Sequence, residues 1–281
     1  MLSRPLSSML SAFAERYARP HVDRWSPVPA ELEAAIAEDA ELAGAARAAR
    51  VRLVADLASR FGFRERLLQA VLTVPRERFV LPEDIGASAD DRPLPLDLEG
   101  HATVSAPHAY LLTYELLGLA EGDHLLELGT GTGYGAALAR HLVGPRGHVT
   151  SIEIDPWLHA RARRLHGVDR DAAPSAGATH DAGGVTLILG DGRTVAGQIL
   201  SAGPGGVAGP YGAIPRAIAF TYALRGAPAE VERLLPEGGR LVAPVGGENE
   251  AQALIRVERR GGELRREGHG AVRYVSERTP G

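Results

Sequence analysis

The residues of this chain that could do chemistry are concentrated in Leu125-Leu126-Glu127-Leu128-Gly129-Thr130-Gly131-Thr132-Gly133-Tyr134-Gly135. A short apolar run carries one carboxylate, breaks into alternating glycines, and passes into Ala136-Ala137-Leu138-Ala139-Arg140-His141-Leu142. That order reads as strand, tight turn and helix. A side chain at the glycines would hold the backbone away from a bound molecule, and the turn calls for positive φ. Two further carboxylates close apolar runs. One is Glu153 in Ser151-Ile152-Glu153-Ile154; the other is Asp191 in Gly190-Asp191-Gly192, after Val185-Thr186-Leu187-Ile188-Leu189. Upstream lies a loop rich in hydroxyls and imidazoles, Gly100-His101-Ala102-Thr103-Val104-Ser105-Ala106-Pro107-His108.

The glycines alone admit two ligands, because Gly131-x-Gly133-x-x-Ala136 also satisfies the looser dinucleotide fingerprint. The acids favour another. Glu127, placed before the first glycine, would oppose a pyrophosphate but suits a cationic or hydroxyl-rich ligand. An acid, a glycine turn and two more acids describe a pocket for S-adenosylmethionine, whose sulfonium is positive and whose ribose offers two hydroxyls. A nicotinamide oxidoreductase is the rival reading.

The elements that must position these groups alternate. Strands are expected at Val149–Ile154, Val185–Leu189, Ala217–Phe220 and Gly239–Val245, with helices at Ala109–Leu117, Trp157–Leu165 and Pro228–Leu235. Ala251–Glu258 and Ala271–Val275 read as antiparallel strands at the far edge. Strand-helix alternation means an α/β fold, a mostly parallel central sheet with helices on both faces. Residues 166–184 and 201–215 lack periodicity and read as insertions. Before this region, Leu6, Met9, Leu10, Phe13 and Tyr17 recur at helical spacing, and the prolines of Pro20–Pro29 make an extended connector. Ala30–Leu57 is helical, with Gly44 a candidate break, and Phe63–Leu72 is a further helix.

Composition excludes several chemistries. All 31 basic side chains are arginine, so lysine Schiff bases and phosphate-loop lysines are out. With no cysteine there are no thiol nucleophiles, disulfides or thiolate metal sites, and no metal site is expected. The net charge of −4 argues against a nucleic-acid groove. No apolar run approaches a membrane span, and Met1–Arg19 lacks a signal-peptide core, so no membrane partner and a cytoplasmic location are expected.

Seven segments, in order, resemble the protein-L-isoaspartate O-methyltransferases over roughly Leu67 to Val275. They are Val74-Pro75-Arg76-Glu77-Arg78-Phe79-Val80, Asp91-Arg92-Pro93-Leu94-Pro95, Ala102–His108, the glycine turn, Ser151-Ile152-Glu153, Gly190-Asp191-Gly192, and Gly238–Gly246. The resemblance implies a Rossmann-like class I S-adenosylmethionine-dependent methyltransferase fold in residues 63–281, with residues 1–62 as an N-terminal helical extension. It also implies methyl transfer to a side-chain carboxylate of a peptide or protein. That carboxylate is already ionised at neutral pH, so it needs positioning more than a base.

On this reading Thr103 and Ser105, two apart in an extended segment, point the same way and hold the substrate carboxylate, with Ser105 the active-site serine. The alternative is a hydroxyl pair that ties down its own loop. His108 either donates to a ligand or serves a helix start; His101 is a lesser candidate. The expected cofactor residues are Glu127, Gly129, Thr130, Gly131, Gly133, Tyr134, Glu153, Ile154, Asp191 and Gly192. Glu127 would face the methionine end, Glu153 the ribose hydroxyls and Asp191 the adenine amine.

The chain departs from the family near the peptide. The family's Asp-Ala-Ile strand and its run of small residues are represented by Arg216-Ala217-Ile218-Ala219-Phe220-Thr221-Tyr222-Ala223-Leu224-Arg225, with Pro210-Tyr211-Gly212-Ala213-Ile214 as a competing alignment. Either way the acid is missing. With the added N-terminal helices, this remodelled wall resembles relatives that tailor ribosomally made peptides of the graspetide and lanthipeptide type. Those relatives methylate an ordinary aspartate, whose ester closes to an aspartimide and opens to isoaspartate. Repair of isoaspartyl residues in damaged proteins is the alternative, and a non-catalytic cofactor-binding partner a further one. Arg216 or Arg225 would meet an acidic peptide if either has a role.

Overall fold

In the computed structural model, the residues described are 40–97, 101–168, 179–181, 184–201, 214–247 and 250–278. The expected helix at Leu6–Tyr17, the connector Pro20–Pro29 and most of 201–215 lie outside them. The chain divides into two compact units, Met1–Leu111 and Leu112–Gly281. The sequence-derived boundary at residue 62 rests on similarity rather than on contacts.

In the first unit, helices α1 (Ala40–Phe61) and α2 (Glu65–Thr73) pack together. Gly44 sits inside α1, so the expected break does not occur; an exposed helical glycine costs only about 1 kcal/mol, which a 22-residue helix absorbs. Two short 3₁₀ turns follow, Arg76–Arg78 and Pro82–Ala87. A small antiparallel ribbon then pairs β1 (Leu94–Pro95) with β2 (Thr103–Val104). The division between units falls within α3, Pro107–Leu117.

The second unit is built on an eight-stranded sheet. Its strands in chain order are β3 (His124–Leu128), β4 (His148–Glu153), β5 (Thr179–Asp181), β6 (Val185–Leu189), β7 (Ala217–Phe220), β8 (Arg240–Val245), β9 (Gln252–Arg260) and β10 (Glu263–Val272). Their spatial order is β10-β9-β8-β7-β3-β4-β6-β5. The five strands from β8 to β6 run parallel, and β3, β6 and β7 are buried along their whole length. Continuous apolar runs such as Val185–Leu189 exist because helices cover both faces of such a sheet. Those helices include α4 (Tyr134–Val143), α5 (Pro156–Leu165), α6 (Gly192–Ser201) and the single turn α7 (Ala229–Glu232). α7 is shorter than the expected Pro228–Leu235 helix.

Two further expectations are corrected. The expected insertion 166–184 contributes an edge strand, β5, antiparallel to β6. Of the far-edge pair, β9 matches the expected Ala251–Glu258 closely, but β10 occupies Glu263–Val272 and meets the expected Ala271–Val275 only at its end: the two strands form a hairpin about Gly261-Gly262, whose φ values of 63° and 81° suit a two-residue turn that needs positive φ at both positions. The charged Glu263-Leu264-Arg265-Arg266-Glu267 opens β10, and only solvent on its outer side allows that composition.

Candidate active site

The chain leaves β3, the sheet's central strand, toward β4 on one side and later returns to β7 on the other. Ligands of open α/β sheets bind at such a reversal, beyond the carboxyl ends of the strands. The glycine turn starts there. Gly129 has φ of 100° and Gly133 of 93°. A Cβ on Gly129 would lie 2.2 Å from Thr221 Oγ1 and 2.9 Å from the Tyr222 ring, and one on Gly133 would lie 2.6 Å from His166 Nε2. Only glycine fits at either position.

The acids are buried beside this turn. Glu127 registers with Ser151 of β4 and accepts the Ser151 hydroxyl at 2.6 Å on Oε2; Thr130 Oγ1 joins the same hydroxyl at 2.6 Å. Glu127 Oε1 is buried and has no hydrogen-bond partner. Burial, with Glu153 as a like-charged neighbour, pushes Glu127 up to about 8 despite the Ser151 bond. Glu153 Oε2 accepts the Gly131 N–H at 2.7 Å, and Oε1 accepts that of Asp155 at 3.0 Å. Burial pushes Glu153 up to about 7. Asp191 caps α6 by accepting the Thr194 N–H at 2.8 Å on Oδ1. Tyr134 and Gly192 are buried at the first positions of α4 and α6, and Ile154, directly after β4, is half-buried. The ten expected cofactor residues thus lie within the second unit, at the carboxyl ends of β3, β4 and β6 or in the turns that follow. An orphaned buried carboxylate oxygen beside a turn that excludes side chains fits a cationic nucleoside.

The first unit holds the hydroxyl segment. Val104 is buried while Thr103 and Ser105 are both half-buried, so the two hydroxyl residues share the open face of an extended strand, as their spacing predicts. The Ser105 N–H donates to Tyr110 Oη at 3.3 Å. His108 Nδ1 lies 2.8 and 2.9 Å from the two carboxylate oxygens of Asp91, its backbone N–H donates to Asp91 Oδ1 at 3.0 Å, and its ring stacks on Phe61 at 5.2 Å. Burial opposes ionisation of Asp91, but the His108 bonds and the Arg60 guanidinium outweigh it and hold that carboxyl below the ordinary aspartate range. His101 is exposed and stands outside this group.

Sequence reasoning missed two residues here. Asp91 stands in one of the motifs, yet its task of fixing His108 shows only in three dimensions. Arg76 is 1% exposed and donates to five backbone carbonyls: Ser88 and Asp90 at 3.0 Å each, Arg92 at 2.8 Å, Val104 at 3.2 Å and Ser105 at 3.1 Å. One guanidinium thereby sets the spacing between the strand of Thr103 and Ser105 and the segment that carries Asp91.

Residues 50–279 match the family model described as protein-L-isoaspartate (D-aspartate) O-methyltransferase. The chain belongs to this family. The protein-L-isoaspartate O-methyltransferase 2 of Anaeromyxobacter sp. strain Fw109-5 is 34% identical over 233 residues, which cover 83% of this chain and 84% of that protein. A protein-L-isoaspartate O-methyltransferase of Methanothrix thermoacetophila is 38% identical over 203 residues, 69% of this chain and 83% of the relative. Among solved structures, one protein-L-isoaspartate O-methyltransferase superposes with a TM-score of 0.65 at 25% identity, over 82% of this chain and 66% of the other. A Plasmodium falciparum chain described under the same activity gives 0.61 at 18% identity, over 80% and 96%, and supports the fold. As a member of the protein-L-isoaspartate O-methyltransferase family, the protein is a carboxyl O-methyltransferase that depends on S-adenosylmethionine. The nicotinamide and non-catalytic readings fall with that membership. Among the described residues, no helix is long and apolar enough to cross a membrane.

Proposed function

We propose that the protein methylates the free α-carboxylate of isoaspartyl residues, the carboxylate left over when the chain runs through the β-carboxyl, in peptides and proteins of the cytoplasm. The observation that carries this reading is the open-faced pair Thr103 and Ser105, held by Arg76 and flanked by the Asp91–His108 pair. Hydroxyl donors orient a carboxylate without locking it into an ion pair, so its oxygen keeps a free lone pair. The acceptor is ionised at neutral pH and no general base is needed. His108, fixed through Nδ1, is placed to steer the peptide rather than to remove a proton. S-adenosylmethionine, when bound, supplies an electrophilic methyl group. Glu127 and Glu153 serve its cationic and hydroxyl-bearing parts, Asp191 its adenine amine, and Gly129, Thr130, Gly131, Gly133, Tyr134, Ile154 and Gly192 shape the wall around it.

A second reading stands on β7. The strand occupies Ala217–Phe220; in one alignment Arg216, immediately before it, takes the place of the family's aspartate and Thr221 and Tyr222 that of small residues, and in the other Gly212 takes the aspartate's place. Arg216 and Arg225 are both exposed. Such a wall suits a constrained, modified peptide bearing an ordinary aspartate. There the methyl ester would be attacked by the following backbone nitrogen, expelling methanol to give the aspartimide.

Incubation with methyl-labelled S-adenosylmethionine and two model peptides, identical except for isoaspartate or aspartate, tests both. Base-labile methyl esters on the isoaspartyl peptide alone are expected. Labelling of neither peptide, with activity appearing only on a cyclised or crosslinked aspartyl peptide, would overturn the repair reading in favour of tailoring. Ser105→Ala should lower kcat on the accepted peptide about tenfold or more, while S-adenosylhomocysteine binding stays unchanged.

A further inference from the structure

Residues 275–278 run along the carboxyl edge of the sheet. Ala223, shortly after β7, bridges to Ser276: its N–H donates to Val275 O at 2.7 Å, and the Glu277 N–H donates to Ala223 O at 2.9 Å. From this anchor two side chains reach outward. Glu277 Oε2 accepts Arg193 Nη2 at 2.7 Å, in the first turn of α6 just past Asp191-Gly192. Arg278 Nη1 donates to Asp155 Oδ2 at 2.9 Å. Asp155 is the N-cap of α5, its Oδ1 accepting from Trp157 and Leu158 at 2.8 and 3.1 Å, and its own N–H donates to Glu153 Oε1. In the sheet β3 lies between β7 and β4. A segment anchored beside β7 whose arginine meets Asp155, two residues past β4, must pass the end of β3, where the glycine turn begins.

We infer that residues 275–278 belong to the cofactor site, with Arg278 a positioning residue that orients Glu153 through Asp155. The inference rests on the reading that Glu153 takes the ribose hydroxyls. Three carboxylates, Glu153, Asp155 and Glu277, converge at this edge, and two arginines from distant parts of the chain are drawn in to meet them. The Arg278–Asp155 pair is 33% and 25% exposed, so it contributes little to folding by itself. Its effect falls instead on the geometry of the loop after β4. With that loop held, both oxygens of Glu153 stay directed by backbone N–H donors, and the remaining lone pairs are fixed in space for a diol. Without the arginine, Asp155 keeps its capping role but loses the contact that stops the loop from tilting.

Calorimetric titration of the full chain with S-adenosylhomocysteine tests this. Glu153→Gln should weaken binding about tenfold; Arg278→Gln and, independently, Asp155→Asn, which preserves a capping side chain, about fivefold. The melting temperature of unliganded Arg278→Gln should stay within about one degree of the parent, as for a partly exposed pair. The double variant Glu153→Gln/Arg278→Gln should bind no more weakly than Glu153→Gln alone, a non-additivity that a merely structural arginine would not give. Amide exchange at Glu277 should slow when the ligand is bound. Wild-type binding by Arg278→Gln and Asp155→Asn, with Glu153→Gln weakened, would overturn the role of Arg278 and leave the ribose reading standing. Wild-type binding by Glu153→Gln would overturn that reading and the inference with it.

Discussion

Burial pushes two neighbouring carboxyls toward their protonated forms. Glu127 and Glu153, at about 8 and about 7, are both above the ordinary glutamate value of 4.5. From about pH 4.5 to about 8 the folded chain therefore binds more protons than the unfolded one, so these two groups make the unliganded protein less stable as pH rises through that window. A sulfonium or ammonium favours the ionised pair. Affinity for S-adenosylmethionine should rise between about pH 6 and 8.5, with protons released on binding. Titration calorimetry in two buffers of different ionisation enthalpy reads that release, and a proton count of zero would sink the idea; Glu127→Gln should flatten the pH dependence. Arg76 poses the opposite problem, since an ammonium has three donors and cannot span five carbonyls. Arg76→Lys should cost about 2–4 kcal/mol in urea denaturation. Its burial was not legible in the sequence, because an arginine in Val-Pro-Arg-Glu-Arg looks like any surface charge until the five carbonyls are assembled around it.

Among the elements, those that punctuate themselves were legible. β3, its turn and α4 were plain because an apolar run, positive-φ glycines and a helical pattern follow one another without a gap. Asp155 with Pro156 announces a helix start in the same way. β5 was hidden because a three-residue edge strand draws its identity from its neighbour β6 rather than from its own composition. Gly129→Ala should show how strict the turn is: the unfavourable φ and the approach to Thr221 and Tyr222 together should cost about 2–4 kcal/mol and abolish S-adenosylhomocysteine binding. Retained binding in calorimetry would mean that the cofactor does not lie against that backbone.

For the whole molecule, the cofactor could be read from short segments because the glycine turn, Glu153 and Asp191 lie at or just after the carboxyl ends of three neighbouring strands of one sheet. The peptide is not legible, because the family's substrate strand can be aligned either with Arg216–Arg225 or with Pro210–Ile214. A ligand that binds only the folded state stabilises it by mass action. S-adenosylhomocysteine at about one hundred times its Kd should add about 2.7 kcal/mol. In scanning calorimetry that corresponds to an upward shift of roughly 5 °C for a chain of this size. A shift below about one degree at that saturation would argue against specific binding.

The hairpin strand β10 ends the sheet with ten residues whose outward backbone groups no strand among the described residues satisfies. Such a rim invites a second molecule to zip onto it. Arg265, Arg266 and Glu267 crowd it with charge, and the irregularity between Gly268 and Ala271 bends it out of line. Crowding the rim with threonine or valine instead would turn a monomer-friendly border into a seed for fibres, which light scattering would report long before catalysis was touched.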